Sequence, residues 1–158
     1  MDKLTHVHEL ASLELSRLSA FASRIAVAGS IRRQAPAPED IDIVVAPNSA
    51  RDKEIILDYV HRYPPGKRGR GNWVASYIKD GVDIQIYFTT ADEFGAMLLY
   101  ATGSVNYGIG LRVVAKKLGY KLNHHGLLDL KNDCKIASAT EQAIYRKLGH
   151  IWRPPEQR

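Results

Sequence analysis

Asp40-Ile41-Asp42-Ile43-Val44-Val45 and Val82-Asp83-Ile84-Gln85-Ile86-Tyr87-Phe88 decide how this chain folds. Both segments alternate apolar residues with others, the signature of a half-buried strand. Side chains two apart on a strand point to the same face. Asp40 and Asp42 therefore project together, while Ile41, Ile43 and Val45 bury on the other side. In the second segment Asp83, Gln85 and Tyr87 share one face, and Val82, Ile84, Ile86 and Phe88 share the opposite one. If the two strands are neighbours, three carboxylates meet on one open sheet face. Like charge at that density is costly unless cations sit among it. Hard divalent cations such as Mg2+ take oxygen ligands of this kind.

Just upstream, a strand through residues 25–28 runs into Gly29-Ser30-Ile31-Arg32-Arg33. Glycine lets a backbone come close to a ligand. Ser30 offers a hydroxyl and an N–H, and Arg33 a planar fork that suits phosphate. By itself Gly29-Ser30 reads as an ordinary turn. Beside a carboxylate pair ten residues on, it reads as a phosphate clamp next to a metal site, which suggests nucleotidyl transfer with two metal ions.

Three blocks carry a resemblance. The run GSIRRQAPAPEDIDIVV, followed later by VDIQIYF, resembles the nucleotidyltransferase signature of the family X DNA polymerases. The block YATGSVNYGIGLRVVAKKLGYKLNHHGL resembles the thumb of that family, and TEQAIYRKLGHIWRPPEQR resembles the way such chains end. The blocks are in order and span nearly the whole chain. The implied fold is α+β: a nucleotidyltransferase palm over residues 1–90, with a mixed or antiparallel sheet and helices on one face, and a small α+β thumb over residues 91–158. The implied catalytic carboxylates and metal ligands are Asp40, Asp42 and Asp83, holding two Mg2+ or Mn2+ ions. The implied nucleotide contacts are Gly29, Ser30 and Arg33 at the triphosphate, with Tyr100, Ala101, Thr102, Gly103 and Ser104 at the pocket. Arg112 corresponds to a minor-groove arginine.

The resemblance implies a template-directed polymerase that adds dNTPs to a primer 3′-hydroxyl and fills short gaps in repair. Gapped or primed DNA and a dNTP are the expected partners, and a monomer inside the cell the expected form. The layout is similar to that of a small viral member, with neither a lyase nor a fingers domain expected before the palm. Several positions depart from the family pattern. Ala101 cannot supply an aromatic wall, Gly108 stands where an asparagine is common, Val105 where a polar residue is common, and Gln85 where an arginine is common. Two alternatives stay open: a template-independent transferase acting on a nucleic-acid end or small acceptor, and an idle basic DNA-binding module.

Composition agrees with this frame without selecting it. The 158 residues suffice for one domain or two small ones. No apolar run approaches the length of a membrane span. The single cysteine, Cys134, allows no internal disulfide, which suits a reducing interior. A net charge of +5 fits a polyanionic partner.

The remaining segments read as follows. Residues 4–23 have helical spacing, with Leu10, Leu13, Leu18 and Phe21 as the apolar stripe. Residues 51–62 form a second helix. Residues 63–71, rich in Pro, Gly and Arg, read as a basic loop. Its Lys67, Arg68 and Arg70 either face solvent or contact a nucleic-acid backbone. Lys79-Asp80-Gly81 is a hairpin turn that makes the Asp83 strand antiparallel to a strand over residues 73–78. Thr90 and Ser104 read as helix N-caps. The second of these helices puts Val105, Ile109, Val113 and Val114 on its apolar side, and Arg112 and Lys116 together on a basic face. Short strands follow around His124-His125-Gly126, a pair that reads poorly as a metal site. Thr140 caps the last helix.

Overall fold

The computed structural model describes residues 2–158. The chain begins with α1, Lys3–Ser19, whose first turn is capped by Asp2 accepting from the Thr5 N–H. It then forms β1 (Ala22–Val27), the single turn α2 (Gly29–Arg32), β2 (Asp40–Pro47), α3 (Ala50–Val60), β3 (Pro65–Arg70), β4 (Val74–Lys79) and β5 (Val82–Phe88). The second half holds α4 (Phe94–Thr102), α5 (Val105–Lys117), β6 (Tyr120–Asn123), β7 (Gly126–Asp129), β8 (Lys135–Ala137) and α6 (Glu141–Lys147). Ser104 and Thr140 cap α5 and α6 through their side chains, as their positions predict.

Five strands make a mixed sheet in the order β1-β2-β5-β4-β3, and β6, β7 and β8 make a separate small sheet. β2 and β5 lie side by side and parallel. The Asp80-Gly81 turn joins β4 to β5 as an antiparallel hairpin. The alternation seen in the sequence sorts the side chains as expected. Ile41, Ile43 and Val45 with Val82, Ile84, Ile86 and Phe88 bury under α1 and α3. Each such aliphatic side chain taken out of water is worth roughly 1.5–3 kcal/mol, so this apolar face holds the two strands in register. Val44, Ala46 and Tyr87 on the opposite face pack under Phe94 and Met97 of α4. Ala96 and Leu99 of the same helix join a third cluster with Leu111, Ala115, Leu122 and Tyr145. α4 is thus the joint between the large sheet and the second half.

Within residues 1–90, α1 and α3 pack on one face of the sheet as expected, while α4 of the second half covers the far end of the other face. The structure corrects several expectations. The first helix stops at Ser19, since residues from Ala22 onward pair with β2 instead, and Leu13 stays half exposed. Residues 63–71 are not a plain loop. Pro65–Arg70 pair with β4, with an irregular register in the middle. Thr90 makes no side-chain cap. On α5, Val105, Ile109 and Val113 are exposed, and the buried positions are Leu111 and Ala115. Of the four residues expected on the apolar side, Val114 packs against the core. Among the described residues, no helix is long and apolar enough to cross a membrane.

Candidate active site

The parallel pairing of β2 and β5 sets Asp40 opposite Asp83 and Asp42 opposite Gln85. All four lie at the N-terminal ends of their strands, on the face that α4 leaves open. Asp42 is further held by α2. A Cβ on Gly29 would fall 1.9 Å from Asp42 Oδ2, and Gly29 has a φ of +58°, so only glycine fits there. Burial pushes the Asp42 carboxyl up to about 6, and the neighbouring Asp40 charge adds to the rise; Tyr87, Arg68 and Arg33 offset part of it.

Asp83 is 8% exposed and held from two sides. Its Oδ1 accepts from the Lys67 N–H at 3.0 Å, and its Oδ2 accepts from Gln85 Nε2 at 3.0 Å. A Cβ on Gly66 would lie 2.0 Å from Asp83 Oδ1. The Arg68 N–H donates to Ser76 Oγ at 2.8 Å. These side-chain acceptors explain how a Pro- and Gly-rich segment becomes a strand: tertiary partners override weak local propensity.

A cavity of about 440 Å³ opens above the carboxylates. Asp40 and Asp42 line it, with Gly29, Ser30 and Arg33 on one side. Tyr100, Ala101, Gly103 and Ser104 line it from the α4–α5 junction, and Gly108 and Arg112 from α5. Arg68 reaches it from β3. Asp83 stands beside the cavity without lining it, and Lys67, Arg70 and Lys116 lie outside it. Thr102 is fully buried and serves the frame: its hydroxyl accepts from Arg32 Nη1 at 2.8 Å, and its carbonyl accepts from Arg33 Nη1.

Two features suit a bound phosphate and cation. The Ser30 hydroxyl is buried on the cavity wall without a hydrogen-bond partner in the protein, an arrangement that is costly unless a ligand completes it. The Asp42 carboxylate is buried beside a like charge. Three carboxylates are the donor chemistry that hard divalent cations require, so the residues present fit such ions. Among the described residues, no three acidic, histidine or cysteine side chains are gathered as a ready ligand cluster, because Asp83 is turned toward Lys67 and Gln85.

Reasoning from sequence overlooked a supporting link. Arg32 forms a bidentate pair with Glu141 of α6 at 2.7 and 3.0 Å. Glu141 also accepts from Arg158 and from Trp152 Nε1. Burial alone would raise the Glu141 carboxyl, but the Arg32 and Arg158 hydrogen bonds outweigh it and hold it down at about 2. Nothing local in the sequence signals this contact between distant segments. Trp73 stacks on His124 at 4.5 Å, joining β4 to the β6–β7 turn across the mouth of the cleft. His125 pairs with Glu93.

Comparison with known proteins places these features in context. Residues 97–158 match the family model described as DNA polymerase beta thumb. Repair DNA polymerase X of African swine fever virus is 25% identical over 143 residues, covering 87% of this chain and 82% of that protein. Human DNA-directed DNA/RNA polymerase mu is 33% identical over 96 residues, 60% of this chain and 19% of that protein. DNA polymerase IV of Saccharomyces cerevisiae is 36% identical over 67 residues, 42% of this chain and 11% of that protein.

Proposed function

We propose that this chain is a family X DNA polymerase that fills short gaps by templated addition of dNTPs to a primer 3′-hydroxyl, a reading that the thumb match over residues 97–158 and the similarity to repair DNA polymerase X and polymerase mu support. The relatives named repair DNA polymerase X, DNA polymerase IV and DNA-directed DNA/RNA polymerase mu support a DNA-directed DNA polymerase that binds DNA, and the carboxylates at the cavity support dependence on a divalent metal. The observation that carries the finer reading is one cavity that brings the Asp40 and Asp42 carboxylates together with the unpartnered Ser30 hydroxyl and the Arg33 guanidinium.

In this reading Asp40, Asp42 and Asp83 hold two Mg2+ or Mn2+ ions. When bound, the ions supply positive charge at the α-phosphate and lower the pKa of the primer hydroxyl. The primer oxygen forms a bond to the α-phosphorus, and the bond to pyrophosphate breaks. Asp83 accepts the hydroxyl proton, for which it must exchange its hydrogen bonds to Lys67 and Gln85. Ser30 and Arg33 bind the triphosphate and the leaving pyrophosphate through charge-assisted hydrogen bonds. Tyr100, Ala101, Gly103 and Ser104 enclose the sugar and base, and Arg112 reaches the new pair. In this reading the enzyme acts as a monomer inside the cell.

The test is a gapped duplex with one labelled primer and single dNTPs. The expected result is preferential addition of the nucleotide complementary to the template. Addition regardless of template would replace this reading with a terminal transferase, and binding without addition would replace it with an inactive DNA-binding module.

Binding to DNA is expected to weaken steeply with salt. Each phosphate contact contributes about 0.9 to the slope of log K against log salt. Neutralising Lys67, Arg68 and Arg70 together is expected to flatten that slope; an unchanged slope would remove these side chains from the DNA contact.

Selectivity is expected to be modest. Gly108 has no side chain to test the minor-groove edge, although a Cβ there would meet Arg112 Nη1 at 3.6 Å, an ordinary contact. One missing base contact is worth roughly 1–3 kcal/mol of discrimination. Ala101 leaves room near the sugar, so ribonucleotides are expected to be accepted. Arg112→Ala is expected to depress correct insertion more than mispaired insertion in single-turnover assays. Selectivity that survives the substitution would show that other residues read the pair.

A further inference from the structure

We propose that Gln85 is a positioning residue that sets the spacing of the Asp40 and Asp83 carboxylates through one neutral amide, an inference that rests on the polymerase reading above. Gln85 is 6% exposed and lies between Asp83 and Tyr87 on the same face of β5. Its Nε2 donates to Asp40 Oδ2 at 3.3 Å and to Asp83 Oδ2 at 3.0 Å. Its Oε1 accepts from the Tyr87 hydroxyl at 3.0 Å and from Arg68 Nε at 3.3 Å. Two acceptors on one side and two donors on the other fix which end of the amide faces which neighbour. A reversed amide would set its oxygen against both carboxylates. All four hydrogen-bonding positions of the side chain are thereby used.

The neutrality of this group has a consequence for cation binding. A guanidinium in the same place would also donate to both carboxylates, but it would bring a positive charge that competes with a cation for them. The amide orients the two carboxylates and leaves their charge for the ion. Through Arg68 the same side chain ties β3 to the site. Gln85 also lines the cavity; the role assigned to it here runs through Asp40 and Asp83. Partners that orient metal-binding carboxylates are worth roughly 10–100-fold in metal affinity or activity.

The experiment compares the wild-type protein with Gln85→Leu and Gln85→Arg. Binding of Mn2+ alone is followed by electron paramagnetic resonance, together with thermal unfolding, affinity for gapped DNA, and single-turnover insertion. Gln85→Leu is expected to bind Mn2+ roughly 10–100-fold more weakly and to insert more slowly, with DNA affinity unchanged. Gln85→Arg keeps donors to both carboxylates but has no acceptor for Tyr87 and Arg68, so its unfolding temperature is expected to fall as in Gln85→Leu, and it is expected to bind Mn2+ more weakly still. Wild-type Mn2+ affinity in either variant would overturn the proposal. So would a Gln85→Leu protein whose loss of Mn2+ binding comes only with loss of the fold, if Gln85→Arg binds normally. A wild-type protein that binds Mn2+ but adds no nucleotide would instead defeat the polymerase reading, which keeps the two failures apart.

Discussion

Asp83→Ala is expected to abolish nucleotide addition while leaving affinity for gapped DNA nearly unchanged. Asp83 is the register partner of Asp40 across the parallel β2–β5 pair, and it is the group assigned to accept the primer proton. Charge stabilisation by a metal is worth several kcal/mol in the transition state. At about 1.4 kcal/mol per factor of ten, losing one ligand is expected to slow single-turnover insertion at least roughly 10³-fold. The basic side chains of β3 and α5 proposed to contact DNA are untouched by the change. Asp83 also accepts the Lys67 N–H, so the alanine variant frees one backbone group of β3. Asp83→Asn separates the two effects: it keeps an acceptor for that N–H and removes the charge. Both variants are expected to be inactive, and the asparagine variant, which keeps an acceptor for one of the two donors that face Asp83, to lose less stability than the alanine variant. An alanine variant that inserts nucleotides at the wild-type rate would mean that the third ligand is another residue.

Glu141→Ala has the largest expected effect on stability. Its carboxylate is the shared acceptor of Arg32, Arg158 and Trp152, and it is 3% exposed. The Arg158 side chain is fully buried and Arg32 is 20% exposed. Removing one partner of a buried ion pair strands the other charge and costs about 3–5 kcal/mol. In a chain of this size each kcal/mol lowers the Tm by about 2–4 °C, so a fall of roughly 6–20 °C is expected by calorimetry.

The effect has a defined pH window. The carboxyl of Glu141 is held at about 2, below its usual 4.5. A group depressed in the folded state stabilises it at pH values above the unfolded pKa. The contribution is therefore complete above about pH 4.5 and is lost as pH falls toward 2. Wild-type Tm is expected to drop across that window more steeply than the Tm of Glu141→Gln. Parallel curves would remove the ion pair from the account of stability. The same pair anchors α2, so Glu141→Ala is also expected to loosen the Ser30 and Arg33 clamp and raise the KM for dNTP.

Much of the site was legible in the sequence because its parts lie on single strands and turns. Alternation over Asp40–Ile43 and Val82–Phe88 set the carboxylates apart from the Ile41, Ile43, Ile84 and Ile86 core face, although β5 is buried on both faces rather than on one. Gly29 was legible as a close-approach residue, and the Asp42 carboxylate is what it approaches. Val105, Ile109 and Val113 of α5 were misread because apolar residues at helical spacing do not say whether the stripe faces a core. Here Leu111 and Ala115 took that role.

What the sequence determined by itself is local: the period of each segment, the caps at Ser104 and Thr140, the Asp80-Gly81 hairpin, and the residue types able to bind a cation and a phosphate. Those follow from backbone sterics and from side chains a few positions apart. Only the tertiary structure decided that β2 and β5 are parallel neighbours with Asp40 opposite Asp83. It alone made Pro65–Arg70 a strand, because Asp83 and Ser76 supply the acceptors its N–H groups lack locally. It alone joined Arg32 to Glu141 and Arg158, and set the Gln85 amide between two carboxylates. The physical reason is the same in each case. Register, desolvation and hydrogen-bond partnership depend on which distant segments share one buried space, and no local pattern encodes that choice.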